Sequence, residues 1–249
     1  AVDYANRYAL LAEELAQAET DAARKAELVK IAATCRKVPA NPAEDFYEAL
    51  QSLWMTHLLI QLESDGTGVS FGRFDQYLYP YYRASVAKGE PQESLQELLD
   101  CFWIKTNHLL KYRSASAAKM WSGYIMNQNI TICGTGAAGN DLTNELSYLC
   151  LACQRRLCLK EPQFSLRVSD NTPDHLIAKA AETLATGGGK PQFVSDRTIA
   201  ESLTSLGIAE DAAADFAIIG CVEPGVVGGW GRFKSGHLNL PKILELMLN

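Results

Sequence analysis

The sequence predicts an α/β fold, and three observations predict it. Residues 2–18, 42–62 and 92–110 carry apolar side chains at helical spacing. From residue 128 onward, short apolar and partly β-branched runs alternate with helix-length segments. The last run, Phe216–Ile219, stops at a glycine and leads into Gly220-Cys221-Val222-Glu223-Pro224-Gly225. Such alternation builds parallel strands covered by helices, consistent here with half of a barrel whose strands end in functional loops.

In chain order, Tyr4, Tyr8, Leu11 and Leu15 mark the first helix, and a second follows Thr20 as its cap. Asn41-Pro42-Ala43-Glu44 joins an N-cap residue, a proline at the first helical position and an acid. The helix it opens is apolar on most sides, which predicts burial, with His57 a satisfied core histidine. Gly66, Gly68 and Gly72 bracket a short strand at 69–71, after which Phe74, Tyr77, Tyr79, Tyr81 and Tyr82 pack a core. The segment 92–110 is a further amphipathic helix, and 112–126 receives no assignment. A half-buried strand at 128–133 precedes a helix from Asp141. A strand at 164–168, a helix capped by Thr172-Pro173, a strand at 192–195 and a helix from Thr198 then feed Phe216–Ile219. A last helix contains Ile243, Leu244, Leu246, Met247 and Leu248.

Composition excludes several classes. The chain has 249 residues, 47% hydrophobic and 21% charged, which is ordinary for a soluble globular protein. A net charge of −6 with no Lys/Arg cluster argues against nucleic acid. The apolar stretch at 53–60 is interrupted by Thr56 and His57 and is too short to span a bilayer. The start lacks the layout of a signal peptide. Seven cysteines, an odd number, fit a reducing cytoplasm better than a disulfide framework. The chain opens on Ala1 and stops at Asn249 inside an amphipathic pattern, so the expectation is a piece of a longer protein, truncated at both ends.

Two other motifs compete for a function. Gly134-Thr135-Gly136-Ala137-Ala138-Gly139 is a literal G-x-G-x-x-G between a strand and a helix, with Glu161 downstream, which is the layout of an NAD fingerprint. Asn140-Asp141 would put an acid where a pyrophosphate should sit, which counts against it. Cys150-x-x-Cys153, with Cys158 beyond, has the form of a zinc or redox pair, but no second ligand pair stands at metal spacing, and no metal is assigned.

The pair Cys221 and Glu223 carries the sharper chemistry. In an extended segment residues i and i+2 point to one side, which would set thiol and carboxylate about 6–7 Å apart. One small substrate could then touch both. Sulfur would remove hydrogen from carbon while the carboxylate takes a proton from a neighbouring atom. The competing reading is a buried structural cysteine beside a solvated glutamate.

The stretch Gly-Cys-Val-Glu-Pro resembles the cysteine loop of the glycyl radical enzymes, in their dehydratase and lyase branch. So do residues 70–77 (Ser-Phe-Gly-Arg-Phe-Asp-Gln-Tyr) with Tyr79-Pro80-Tyr81-Tyr82, Asn127-Gln128-Asn129-Ile130-Thr131, residues 141–149, and Glu161-Pro162-Gln163 leading into Ser165-Leu166-Arg167. Their order and spacing match, so the resemblance covers nearly all of residues 1–249 as one partial domain of the pyruvate formate-lyase type.

The resemblance implies helices wrapping part of a strand barrel, with the Cys221 loop inside. It implies catalytic roles for Cys221 as thiyl and Glu223 as base, and a substrate-proximal position for His237; the charge of Arg232 beside the same loop makes it a second substrate-proximal candidate. It implies a glycyl radical outside this chain, installed by an activating enzyme that uses S-adenosylmethionine and an iron–sulfur cluster. It also implies a small-molecule substrate, a homodimer when full length, and a cytoplasmic setting, with a bacterial microcompartment as a further option.

The chain departs from glycerol, diol and choline enzymes after Pro224, where it reads Gly225-Val226-Val227-Gly228-Gly229-Trp230-Gly231-Arg232-Phe233-Lys234. Two cations and His237 there favour an anionic substrate such as a carboxylate or sulfonate, beside the equal reading of a solvated face. A formate C-acetyltransferase would need a second cysteine where Gly220 stands. An arylacetate decarboxylase would also use a Cys-x-Glu pair and stays open. A non-catalytic scaffold also stays open, with the intact Cys221 and Glu223 against it.

Overall fold

The computed structural model describes residues 1–63, 67–120, 123–136, 138–229 and 239–248. Helices α1 (Val2–Ala18), α2 (Ala22–Lys37) and α3 (Phe46–Glu63) come first, then strand β1 (Gly72–Arg73) and helices α4 (Phe74–Tyr77), α5 (Tyr79–Ala87), α6 (Gln92–His108) and α7 (Ala115–Met120). Strands and helices then alternate: β2 (Asn129–Cys133), α8 (Glu145–Leu157), β3 (Gln163–Val168), α9 (Asp174–Leu184), β4 (Gln192–Ser195), α10 (Asp196–Ser205) and α11 (Glu210–Ala214). The hairpin β5 (Phe216–Ile219) and β6 (Glu223–Val226) follows, and α12 (Leu240–Leu248) comes last.

Four strands form a parallel sheet in the order β1-β2-β3-β4, with Ile130 opposite Phe164 and Leu166 opposite Phe193. The side chains of β2 and β3 alternate with the pleat. Ile130, Ile132, Phe164 and Leu166 face the helices and join Leu95, Leu99 and Trp103 of α6 with Leu146 and Cys150 of α8 in the core. Burying each Phe, Leu or Ile contributes about 1.5–3 kcal/mol, so this side drives folding. The other side carries Asn129, Thr131, Ser165 and Arg167, all fully buried. A buried polar group left unpaired costs about 1–3 kcal/mol, so that side needs partners. Residues 214–220 supply them for Arg167, Thr131 and the Asn129 amide nitrogen, whereas among the described residues Ser165 Oγ and Asn129 Oδ1 have no hydrogen-bond partner.

Helix starts shift for local reasons. The helix start expected at Asn41-Pro42 is not used. Asn41 Nδ2 donates to Lys37 O instead, and Asp45 Oδ1 accepts Glu48 N–H at 3.0 Å, so α3 opens at Phe46. Likewise α8 starts at Glu145 rather than Asp141, because Asn144 and Ser147 form a reciprocal capping box. The strand expected at 69–71 is seen at Gly72–Arg73, although Phe71 N–H still reaches Asn129 O at 2.8 Å. His57 is the satisfied core residue expected: it is buried, with Nε2 2.7 Å from Gln128 Oε1 and its ring against Phe71. Among the described residues no helix is long and apolar enough to cross a membrane.

Candidate active site

Phe216–Ile219 is a buried strand, as its apolar pattern predicts, but its neighbour is antiparallel. Ile219 pairs with Glu223, which leaves Gly220-Cys221-Val222 as the turn of a tight hairpin. Gly220 has φ +60° and is buried. A side chain there would strain the backbone, and its Cβ would come within 3.2 Å of Glu223 Oε2. Cys221 sits at the tip, half-buried, and Glu223 is exposed.

The extended geometry expected for Cys221-Val222-Glu223 is therefore replaced by a turn. Glu223 folds back beneath it: Oε2 accepts the N–H groups of Cys221 (3.1 Å) and Val222 (3.0 Å). Both bonds end on one carboxylate oxygen, and Oε1 takes no part in them. Turn geometry turns the two N–H groups inward, so the carboxylate is held by its own loop.

The sheet holds β5 through side chains rather than through a backbone ladder. Arg167 Nη2 donates to Ala214 O (2.9 Å) and Nη1 to Phe216 O (2.7 Å). Ile218 N–H donates to Thr131 Oγ1 (2.9 Å), and Gly220 N–H to Ser70 Oγ (2.9 Å). Asn129 Nδ2 donates to Gly220 O (3.2 Å). The gripped residues, 214, 216, 218 and 220, follow the two-residue period of a strand edge. Arg167 is pinned in turn by buried Asp196, with Nε–Oδ1 at 2.7 Å, and its guanidinium lies 3.9 Å from the Phe216 ring centroid. Burial pulls the Arg167 pKa down, and the Asp196 carboxylate opposes that. Arg73 pairs with Asp215 at 2.7 Å just before the strand.

The dinucleotide reading does not survive this geometry. Residues 134–142 close on themselves, with Gly136 N–H on Asn140 O and Leu142 N–H on Gly134 O, each at 2.9 Å. Thr135 and Asp141 form an antiparallel bridge, and the following helix α8 opens only at Glu145. Gly134 is small because Arg167 lies against it: a Cβ would meet Nε at 2.5 Å. Glu161, placed where a ribose-binding acid would stand, is buried and accepts the N–H groups of Met126, Asn127 and Gln128. Burial raises its pKa, opposed by those bonds and by Lys190. Cys150 and Cys153 lie in the core, where burial pushes both thiols well up. Cys153 Sγ contacts Asp100 Oδ1 at 2.8 Å, and Cys158 caps α8 in a left-handed conformation. Arg232 and His237 lie outside the described residues.

The sequence alone assigned no site role to Ser70 or Asn129, both of which reach the residue before Cys221. No local signal marks a contact spanning 150 positions.

The fold and the thiol loop define a class: the chain belongs to the pyruvate formate lyase-like family, whose model matches residues 1–249. It is 37% identical over 250 residues to an isethionate sulfite-lyase of Oleidesulfovibrio alaskensis, covering 98% of this chain and 30% of that protein. It is 45% identical, with a TM-score of 0.89, to a structure solved for 1,2-propanediol dehydration in Roseburia inulinivorans, covering 91% of this chain and 29% of that one. A hydroxyproline dehydratase structure from Clostridioides difficile with trans-4-hydroxy-L-proline bound is 34% identical, with a TM-score of 0.93, over 99% of this chain and 32% of that one. The chain thus spans about 30% of the length of the curated relatives it matches.

Proposed function

We propose that residues 1–249 are the thiol-bearing part of a glycyl radical enzyme that cleaves a C–O or C–S bond next to a hydroxyl-bearing carbon. The single observation that carries this is the hairpin tip, where Cys221 and Glu223 form one hydrogen-bonded unit. Cys221 suits a thiol that must meet two partners in turn, because it stands at a turn, whereas Cys133, Cys150 and Cys153 are enclosed in the core. A glycyl radical elsewhere in the whole protein would supply the oxidising equivalent by taking a hydrogen atom from Cys221 Sγ. A radical S-adenosylmethionine activating enzyme would install it.

Cys221 as thiyl then takes a hydrogen atom from the substrate carbon bearing the hydroxyl: the S–H bond forms as the C–H bond breaks. Glu223 accepts the hydroxyl proton, and the leaving group departs from the adjacent carbon with the electron pair of its bond. The resulting carbonyl-stabilised radical recovers a hydrogen atom from Cys221, which regenerates the thiyl. The named substrates of the relatives, isethionate, 1,2-propanediol and trans-4-hydroxy-L-proline, each carry a hydroxyl group, and two of them are also anionic or zwitterionic. This supports a small hydroxylated substrate, with an anionic one preferred.

The test is anaerobic assay of the full-length protein with its activating enzyme on isethionate, 1,2-propanediol and trans-4-hydroxy-L-proline. The expected result is an aldehyde product from isethionate and from 1,2-propanediol, with sulfite from isethionate, only after activation; trans-4-hydroxy-L-proline, whose single hydroxyl would itself have to leave, should not turn over by this step. Product formed equally without activation would overturn the radical assignment, and turnover of neither isethionate nor 1,2-propanediol would overturn this substrate class.

A further inference from the structure

We propose that Ser70 and Asn129 are positioning residues that fix where the Cys221 thiol stands; this rests on the assignment of Cys221 as the hydrogen-abstracting group. Gly220 has two backbone hydrogen-bonding groups, and both are taken: its N–H by Ser70 Oγ at 2.9 Å and its carbonyl by Asn129 Nδ2 at 3.2 Å. The Cys221 N–H, at the other end of the same peptide plane, is held by Glu223 Oε2 at 3.1 Å. A peptide unit is planar, so holding its carbonyl and its N–H fixes the Cα of Cys221 as well. Only the side-chain rotation of Cys221 is left to be set.

The Ser70 hydroxyl is fully used. It donates to Gly68 O (2.9 Å) and accepts from both Gly220 N–H and Asn129 N–H (3.1 Å), which is one donor and two lone pairs. Asn129 is fully buried, and its main-chain N–H and side-chain amide serve the two ends of this arrangement. Alanine at position 70 would leave two donors and one acceptor without a partner, whereas threonine keeps the hydroxyl. The two residues come from separate segments and are bonded to each other as well as to Gly220, so they tie the thiol loop both to the segment before β1 and to β2.

A displacement of about 1 Å from a reacting geometry can cost roughly 100-fold in rate. In the full-length, activated enzyme, Ser70→Ala should lower kcat by roughly 10–100-fold. KM and the glycyl radical content measured by electron paramagnetic resonance should stay near wild type. Ser70→Thr should restore most of kcat. A second readout needs no substrate: amide hydrogen exchange in the unactivated protein should speed up at Asn129 and at residues 220–222 in Ser70→Ala and stay unchanged in the rest of β2 and in β3. Should the alanine variant not fold, Asn129→Ser is read in the same two ways. Unchanged kcat and exchange in a folded variant would overturn the proposal. So would loss of kcat in proportion to radical content with β2 and β3 loosened, which marks a merely structural role. If Cys221→Ser keeps its turnover, the failure lies in the thiol assignment instead.

Discussion

The carboxylate of Glu223 and the backbone N–H of Cys221 form a hydrogen bond of 3.1 Å, so the proposed base also braces the loop that carries the thiol. The two roles separate by chemistry. Glu223→Gln keeps an acceptor oxygen for the brace but cannot take a proton. In the full-length enzyme it should lose roughly 10²–10⁴-fold in product formation while hydrogen exchange between substrate carbon and solvent survives. Glu223→Ala removes both functions, and exchange should fall too. Equal exchange and product formation in both variants and the wild type would leave Glu223 without a role.

Cys221→Ser keeps the volume at the hairpin tip, but an O–H bond is too strong for a glycyl radical to break. Turnover should vanish while the glycyl radical signal persists. Appreciable turnover by the serine variant would end the assignment of Cys221.

Gly220→Ala tests the turn. At φ +60° an L-residue costs about 1–2 kcal/mol, and the new Cβ would crowd Glu223 Oε2 at 3.2 Å. The variant should activate normally but turn over more slowly, with the larger change in kcat. The same crowding predicts that Gly220→Cys, although it creates adjacent cysteines, gains no acetyltransferase activity, as a formate–pyruvate exchange assay would show.

Much of the architecture was readable residue by residue. The apolar run Phe216–Ile219, the glycine after it and the alternation from residue 128 onward identified the strand, the turn and the parallel sheet, because each depends on local pattern. The hairpin partner was not readable: Glu223-Pro224-Gly225-Val226 pairs as a strand despite its proline and glycine. Tertiary packing overrides local propensity there, and β6 has Pro224 in it as an edge strand can. The glycine motif at 134–139 misled for a related reason. Its spacing matches a phosphate loop, but the residue that leaves no room for a side chain at Gly134, Arg167, is about thirty positions away and is seen only in the fold. Ser70 and Asn129 received no role of their own, because hydrogen bonds to a distant backbone leave no pattern in sequence.

Burial lowers the His57 pKa below its ordinary value near 6.5, and the Gln128 bond opposes that shift. The folded state therefore binds the proton less well than the unfolded one. The stabilisation is complete above pH 6.5 and is lost as pH falls through the lowered folded value. Between pH 7.5 and pH 5 the apparent melting temperature of the full-length protein should drop more than that of His57→Gln. Parallel slopes for the two would show that His57 is not coupled to unfolding in this range.

The 249-residue chain on its own should self-associate. Among the described residues β1 and β4 are the outer strands of the parallel sheet, and α12 exposes Leu240, Ile243, Leu244, Leu246, Met247 and Leu248. Open strand edges and contiguous apolar surface both favour association. Sedimentation should report species heavier than the 27.3 kDa monomer, and Leu244→Lys with Leu248→Lys should shift them towards it. A clean monomer for the unsubstituted chain would contradict this.

Arg167, Thr131, Asn129 and Ser70 hydrogen-bond only to main-chain atoms of residues 214–220, with the Phe216 ring the one side chain of that segment laid against Arg167. Those bonds are therefore blind to which side chains the loop beyond that segment displays. On the proposed function, mutation at 222 and onward would redraw the groups a substrate meets while the thiol keeps its station. Selection for a new leaving group would then act on residues that do not set the abstraction geometry, so one radical scaffold can be redirected among chemistries by small steps.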